Sequence, residues 1–210
     1  MPKTEKKAPA RQRLLTAAAE VFFEEGYSAA RVSDVVARAE VAQGTFYLYF
    51  KSKEAVFVAL VEMFFAELLA VTLGQNPASE LEDADAMRHQ ISQIWRTIIV
   101  YCRTHPNMAA LVLQEATGLP KAERAVLAAN YAKAVDALAL YCCETERRGI
   151  TRTLDPHLTA WVIIGMVERA VHYAVFVAGE ADVDAIVTDL VTLELNGLLA
   201  PTSLSKNEGV

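Results

Sequence analysis

Gln43, Gly44, Thr45, Tyr47 and Tyr49 fall within seven residues, and together they carry the chemistry of a surface that reads DNA. A glutamine amide pairs with the edge of adenine in the major groove, and a threonine methyl fits a thymine methyl. Tyrosine hydroxyls donate to phosphate oxygens, which fix register without reading sequence. Gly44 removes the side chain that would hold a backbone away from the duplex. Lys53, Arg31 and Ser33 stand at two further predicted helix starts, where backbone N–H groups already favour an anion, so they join the phosphate-binding set. Phe46 and Phe50 are four residues apart and share a face, which suits them to anchoring the segment rather than contacting a partner.

Short helices must position these groups. Leu14, Leu15, Ala18, Val21 and Phe22 recur at helical spacing and stop at Gly26, a good residue just past a helix end. Ser33 is expected to cap a second helix, with Asp34 in its first turn and Val35, Val36 and Ala39 on its apolar side. Residues 43–49 form the third. Three short helices with a tight link between the last two are a helix-turn-helix. Helix 4, from Lys53 to about Leu73, is apolar on nearly all sides and so must be covered on nearly all sides. Residues 74–84 read as a loop. Further helices are expected at about 85–104, 107–117, 121–148, 156–178 and 183–199, with Asp155-Pro156 a cap and first-turn proline. The fold class is all-α, with about nine helices. The expected organisation is a disordered basic arm (1–9), a helix-turn-helix domain (10–53), a larger helical domain (54–200) and a disordered tail (201–210).

The charge is uneven. Residues 1–53 hold nine Lys/Arg and six Asp/Glu, a net of +3, whereas the remainder holds 11 and 20, a net of −9. A basic head on an acidic body fits DNA binding confined to the head. Cys102, Cys142 and Cys143 have no disulfide-scaffold spacing and read as small hydrophobes. The polar, basic start lacks a secretory signal, and no run of about 18 uncharged apolar residues is present, so the expectation is a cytoplasmic protein with no membrane partner. His89, His105, His157 and His172 lack metal-ligand spacing, and neither a nucleophile elbow nor a phosphate-cradling loop appears. An enzyme, a cofactor and a metal are therefore not expected.

The run Phe23-x-x-Gly26-Tyr27, Val32-x-x-Val35, Val41-Ala42-Gln43-Gly44-Thr45-Phe46-Tyr47-Leu48-Tyr49-Phe50 and Ser52-Lys53-Glu54 resembles the TetR family of transcriptional regulators. The resemblance covers about residues 10–55. It departs from the family pattern at Glu40, where a turn glycine is usual, at Ala42, where a capping serine is common, and at Ala30-Arg31, where threonines are common. A glutamate at a position needing positive φ carries a steric cost, and the missing cap costs about 0.5–2 kcal/mol.

The resemblance implies a C-terminal domain that binds a small effector and dimerises. Apolar and aromatic residues with a few polar ones among them suit a pocket, and the ligand set expected is Trp95, Met108, Leu111, Asn130, Tyr131, Trp161, Arg169 and Phe176. Residues 114–118 resemble a segment of acyl-CoA-responsive members. The effector is expected to be hydrophobic or amphipathic, with acyl-CoA and aromatic drug-like molecules as the two classes. The last two helices are the usual dimer elements, offering Ile164, Val167, Val171, Val175, Leu190 and Leu193. One recognition helix reads only a few base pairs, so a homodimer on a palindromic double-stranded operator is expected. Family habit implies a repressor released by effector. The alternative is a ligand-independent architectural DNA-binding or helical interaction protein.

Overall fold

The computed structural model describes residues 9–113 and 118–196. The expected N-terminal arm, save Pro9, the C-terminal tail and residues 114–117 lie outside them. Among the described residues the structure is helical, with no strand. The helices are α1 (Ala10–Glu25), α2 (Val32–Arg38), α3 (Gln43–Tyr49), α4 (Lys53–Val71), α5 (Ala84–Thr104), α6 (Pro106–Leu113), α7 (Lys121–Arg147), α8 (Pro156–His172) and α9 (Val183–Asn196). A 3-10 turn, Ala78–Glu80, sits in the predicted 74–84 loop, and a π-helical turn, Tyr173–Val177, follows α8.

Among the described residues two compact units emerge, one holding those up to 68 and between 105 and 134, the other those between 69 and 104 and from 135 to 196. Contact, unlike sequence order, joins α6 and the first half of α7 to the N-terminal helices. The boundaries at Leu68 and Ala134 fall inside α4 and α7, so each of these helices contributes to both units.

In the first unit α1 buries Leu14, Leu15, Ala18, Val21 and Phe22, the periodic set that its sequence announces. Gly26 ends it at φ 77°, a conformation that costs glycine no steric strain. α1 packs against α2, α3 and α6. On α4, Val56, Phe57, Leu60, Val61, Phe64 and Phe65 are buried. Tyr131 of α7 meets Phe65 edge-on at 5.0 Å.

Two details of the helix-turn-helix differ from or sharpen the expectation. Ser33 does not cap α2. The helix begins two residues earlier, with Arg31 at the cap position, and the Asp34 carboxylate accepts the Arg31 backbone N–H at 3.2 Å. The charged acceptor three residues on replaces the hydroxyl as the stop for the orphan donor. Glu40 does adopt positive φ, at 51°. The Arg13 guanidinium braces this turn, donating to Ala39 O at 3.0 Å and Glu40 O at 3.4 Å. Glu40→Gly is expected to raise stability by about 1 kcal/mol by removing the left-handed strain, as a shift in the thermal midpoint. No gain would mean that the Arg13 brace already offsets the strain.

In the second unit α5 and α9 make the principal contact. Ile94, Trp95, Ile98, Ile99 and Cys102 of α5 are buried, as are Val187 and Val191 of α9. Val135, Ala139 and Ala160 form a smaller cluster, covered by Leu138 and Ile164. The helix expected to run unbroken to Ala178 changes register after His172. Arg103 supplies the reason: its Nε and Nη2 donate to Ala174 O at 3.1 and 3.0 Å, and its Nη1 to Ala181 O at 3.1 Å. An external donor of this kind stabilises the wider π-turn by satisfying a carbonyl diverted from the regular ladder.

By length and mean hydropathy, α7 and the segment Pro156–Val177 could each reach across a bilayer, although the latter is interrupted by Glu168 and Arg169. Only 17% of the most apolar window of Pro156–Val177 is buried within the chain. That exposed face bears on assembly, below.

Candidate nucleic-acid interface and an internal cavity

α3 is two turns long, too short to hold its shape alone. Phe46 is fully buried and Phe50 nearly so, and their rings lie 6.0 Å apart. Tyr47 rests edge-on against Phe46, at 5.3 Å, while about half of its surface stays exposed. The inward face of α3 is thus fixed by two phenylalanines. The outward face presents Gln43, Gly44, Tyr47 and Tyr49 to solvent, with Thr45 half-buried. Arg31 and Ser33 are exposed at the start of α2. Ala42 precedes α3 with no side-chain cap, as its methyl dictates.

Leu48 is 82% exposed, a residue the sequence reading did not select. Its signal was its spacing: four residues after Gly44, it shares that glycine's face of the helix. An apolar side chain left in water there suits contact with a thymine methyl.

Lys53 stands differently from the expected phosphate contact. Its Nζ donates to Tyr27 O at 2.7 Å, Ala30 O at 2.9 Å and Ser28 O at 3.3 Å, and lies 4.6 Å from the centre of the Tyr27 ring. Three ammonium donors meet three carbonyls, so Lys53 clamps the loop between α1 and α2. Those carbonyls come from a loop distant in sequence and are invisible to local pattern.

Gly44 has open space where a Cβ would stand, and its φ is not in the positive range. Nothing inside the chain requires glycine at this place. Gly44→Ala is therefore expected to stabilise the fold by about 0.5–1 kcal/mol through helix propensity, while weakening DNA binding by about tenfold or more, because the methyl intrudes where the backbone approaches the duplex. Melting curves and titration with operator DNA test the two signs together. An alanine variant that binds as tightly as the parent would remove Gly44 from the interface.

The eight expected ligand residues divide between the two units. Met108, Leu111 and Asn130 are buried in the first unit, where Asn130 Nδ2 donates to Val126 O at 2.9 Å and Tyr131 packs on Phe65. In the second unit Trp95 is buried, Phe176 is half-buried beside His172, and Trp161 and Arg169 are exposed. The second unit does contain a cavity of about 540 Å³, and none of the eight lines it. Its apolar walls include Ile91, Leu138, Ile150 and Ile163, and Tyr141 and Glu194 also line it. Trp95 reaches this site indirectly: its Nε1 donates to Glu194 Oε2 at 2.6 Å. Burial pushes the Glu194 carboxyl above the usual carboxylate range, and the indole bond offsets this in part.

The six expected dimer residues also divide. Val171 is 2% exposed and belongs to the chain's own core, and Ile164 packs on the Val135–Ala139–Ala160 cluster. Val167, Val175 and Leu190 are half-buried, and Leu193 is exposed. The unpartnered stripe runs instead through Leu158, Trp161, Val162, Tyr173 and Val177, passing Gly165, beside which there is open space. With apolar residues on more than one face, periodicity alone does not say which face the chain covers itself.

Among the described residues no group of three His, Cys, Asp or Glu is placed to hold a metal ion.

The profile of "Bacterial regulatory proteins, tetR family" matches residues 14–60, the helix-turn-helix and the start of α4. Over 78 residues the chain is 41% identical to the HTH-type transcriptional repressor DhaR of Mycobacterium sp. (strain GP1), a match spanning 37% of each protein. Over nearly the full length it is similar to the fatty acid degradation regulator FadR from Bacillus halodurans, with a TM-score of 0.79, 25% identity and coverage of 92% of this chain and 98% of that one. FadR from Bacillus subtilis, solved in complex with stearoyl-CoA, shares the fold with a TM-score of 0.75 at 23% identity, covering 90% of this chain and 99% of that one. A matched helix-turn-helix head, an exposed outer face of α3 and a helical body of the same fold lead to one conclusion: residues 14–60 match the DNA-binding region of the TetR family, and over nearly its full length the chain is similar to TetR-family transcriptional regulators.

Proposed function

We propose that the protein is a homodimeric, sequence-specific DNA-binding repressor that leaves its operator when a small hydrophobic or amphipathic effector binds its C-terminal helices. The observation that carries this reading is the division of α3, with Phe46 and Phe50 buried and Gln43, Gly44, Tyr47 and Tyr49 turned to solvent. A helix whose polar reading groups are exposed while its anchors are fully buried is built to enter a major groove. The proposed contacts are Gln43, Gly44, Thr45 and Leu48 to base edges, and Tyr47, Tyr49, Arg31 and Ser33 to phosphates.

Dimerisation is assigned to α8 and α9, through the stripe from Leu158 to Val177 with Leu193. Exposed apolar surface of this extent on a regulator fits a second copy of the same surface, paired about a two-fold axis. A two-fold protein requires two half-sites, hence a palindromic operator. Effector binding acts by favouring the head spacing that does not fit the operator, with a coupling of about 1–3 kcal/mol. Helix α4 begins beside the helix-turn-helix and continues into the second unit, which suits it to carry that change. Two effector chemistries have support. The stearoyl-CoA bound by the Bacillus subtilis relative in fold supports an acyl-CoA, and the cavity beside Glu194 supports an aromatic drug-like molecule. The site of action is the cytoplasm, where the operator is.

The test is selection of bound duplexes from a random pool at stated salt. One enriched palindrome is expected, and Tyr47→Ala is expected to weaken binding to it by about tenfold with the dimer and the melting curve unchanged. Failure of a folded, effector-free dimer to enrich any sequence overturns the reading.

A further inference from the structure

Glu194 presents a chemical problem that the rest of the chain does not solve. It lies on α9, lines the 540 Å³ cavity and is desolvated enough to raise its carboxyl pKa. Buried carboxylates are normally paired with a cation or neutralised. Glu194 has one hydrogen bond, from Trp95 Nε1 to Oε2 at 2.6 Å, and no ion pair among the described residues. The other polar groups near it are turned elsewhere. Tyr141 donates its hydroxyl to Gln90 Oε1 at 2.8 Å, and the Thr145 hydroxyl donates to Cys142 O at 2.9 Å. The two arginines of the cavity, Arg88 and Arg152, are exposed residues. Arg88 donates to Asn196 Oδ1, and neither makes an ion pair with Glu194.

We infer that this cavity is a binding site for an apolar, preferably aromatic, molecule carrying a single protonated amine, with Glu194 as the counter-charge and Ile91, Leu138, Ile150 and Ile163 as the apolar walls. The inference rests on the reading that the body senses a small molecule and names the head-group charge of what it senses. The volume is that of a drug-sized ligand site. The indole bond fixes the carboxylate before a ligand arrives, so little ordering cost is added on binding. Magnitude decides between the half-buried acid and the exposed arginines as the determinant of ligand charge. Two charges 4 Å apart interact by about 4 kcal/mol at the effective dielectric of a protein site and by about 1 kcal/mol in water, and salt screens the exposed pair further. The desolvated Glu194 therefore outweighs Arg88 and Arg152, and a carboxylate ligand is rejected by the same group that holds the amine. Tyr141 adds an aromatic edge beside a flat ligand.

Calorimetric titration of the full chain with naphthylmethylamine and with naphthoate, two probes of one shape and opposite charge, tests this. The amine is expected to bind and naphthoate to bind at least tenfold more weakly. Glu194→Gln keeps an acceptor for the indole and is expected to weaken the amine at least tenfold while leaving the thermal midpoint unchanged or higher. Ile163→Trp, which fills the cavity and spares the acid, is expected to abolish amine binding. Arg88→Gln is expected to leave it intact. Naphthoate binding as well as the amine, no amine binding by the folded parent, or undiminished amine binding by either Glu194→Gln or Ile163→Trp would overturn the assignment. These titrations need no DNA, so their failure is distinct from failure of the regulator reading, which the duplex selection measures.

Discussion

Phe46→Ala is expected to cost about 3–5 kcal/mol, the range for deleting a fully buried phenylalanine, and to abolish specific DNA binding although Phe46 touches no DNA. Its side chain is entirely buried, with Phe50 at 6.0 Å on the same face of α3 and Tyr47 edge-on at 5.3 Å. A helix of seven residues gains nothing useful from its own hydrogen bonds, because nucleation consumes them. Its folding free energy comes from the two rings. Truncating the one that is wholly enclosed leaves a cavity under α3, and α3 loses its place before the rest of the unit unfolds. Urea denaturation followed by far-UV circular dichroism measures the stability loss. Operator titration under conditions where the variant remains folded separates loss of α3 from global unfolding. A loss below about 1 kcal/mol would show that Phe50 alone holds the helix. Phe46→Leu, which keeps much of the volume, is expected to recover most of the binding.

The second large effect concerns Tyr27 and Glu123. The Tyr27 hydroxyl donates to Glu123 Oε1 at 2.7 Å, and Glu123, at the start of α7, is only 5% exposed. Tyr27 also carries Phe22 edge-on at 5.1 Å, Phe57 at 4.9 Å and the Lys53 ammonium over its ring. Phenylalanine at position 27 preserves the ring and removes one hydrogen bond. The price falls on Glu123, whose buried carboxylate loses that donor. A loss of about 1–3 kcal/mol is expected, more than the bond itself is worth. Glu123→Leu alone strands the tyrosine hydroxyl and is expected to destabilise as well. The double variant removes both polar groups and is expected to recover much of the loss, giving a favourable coupling in a double-mutant cycle. Additive single effects would mean that the pair is not an energetic unit.

The same pair predicts a pH dependence. Burial, with the Glu123 hydrogen bond and charge, pushes the Tyr27 phenol well above its ordinary range. The native phenol stays protonated while an unfolded one ionises near pH 10, so the unfolded state releases a proton that the native state retains. Stability is therefore full below about pH 10 and falls above it. In Tyr27→Phe that part of the alkaline loss is expected to vanish, which thermal midpoints at pH 9 and pH 11 measure.

The site was legible in sequence where local rules govern it. The α3 boundaries follow from seven residues between two breaks, and its polarity follows from Phe46 and Phe50 standing four apart. The positive φ at Glu40 was implied by the resemblance, which has a glycine at this turn position. Where distant groups compete, sequence spacing misleads. Ser33 has the chemistry of a cap, yet the Asp34 carboxylate takes the donor at Arg31. Lys53 has the chemistry of a phosphate contact, and its bonds to three loop carbonyls could not be read from its neighbours in sequence.

The sequence by itself determined the helical class, which face of α3 is buried and the resemblance of the head, because those depend on periodicity of 3.6 residues and on a short, specific run of residue types. Only the tertiary structure decided which apolar residues of α8 turn inward, which side chains border the cavity, and that α6 and the first half of α7 belong with the head. Ile164 and Trp161 are both hydrophobic residues of one helix, three apart. One packs on Val135 and Ala139 and the other stands in solvent, because the neighbour that covers a residue comes from elsewhere in the chain. Glu194 reads as an ordinary acid on α9, and becomes chemically significant only when Trp95, 99 residues earlier, donates its indole N–H to the carboxylate at the edge of the cavity.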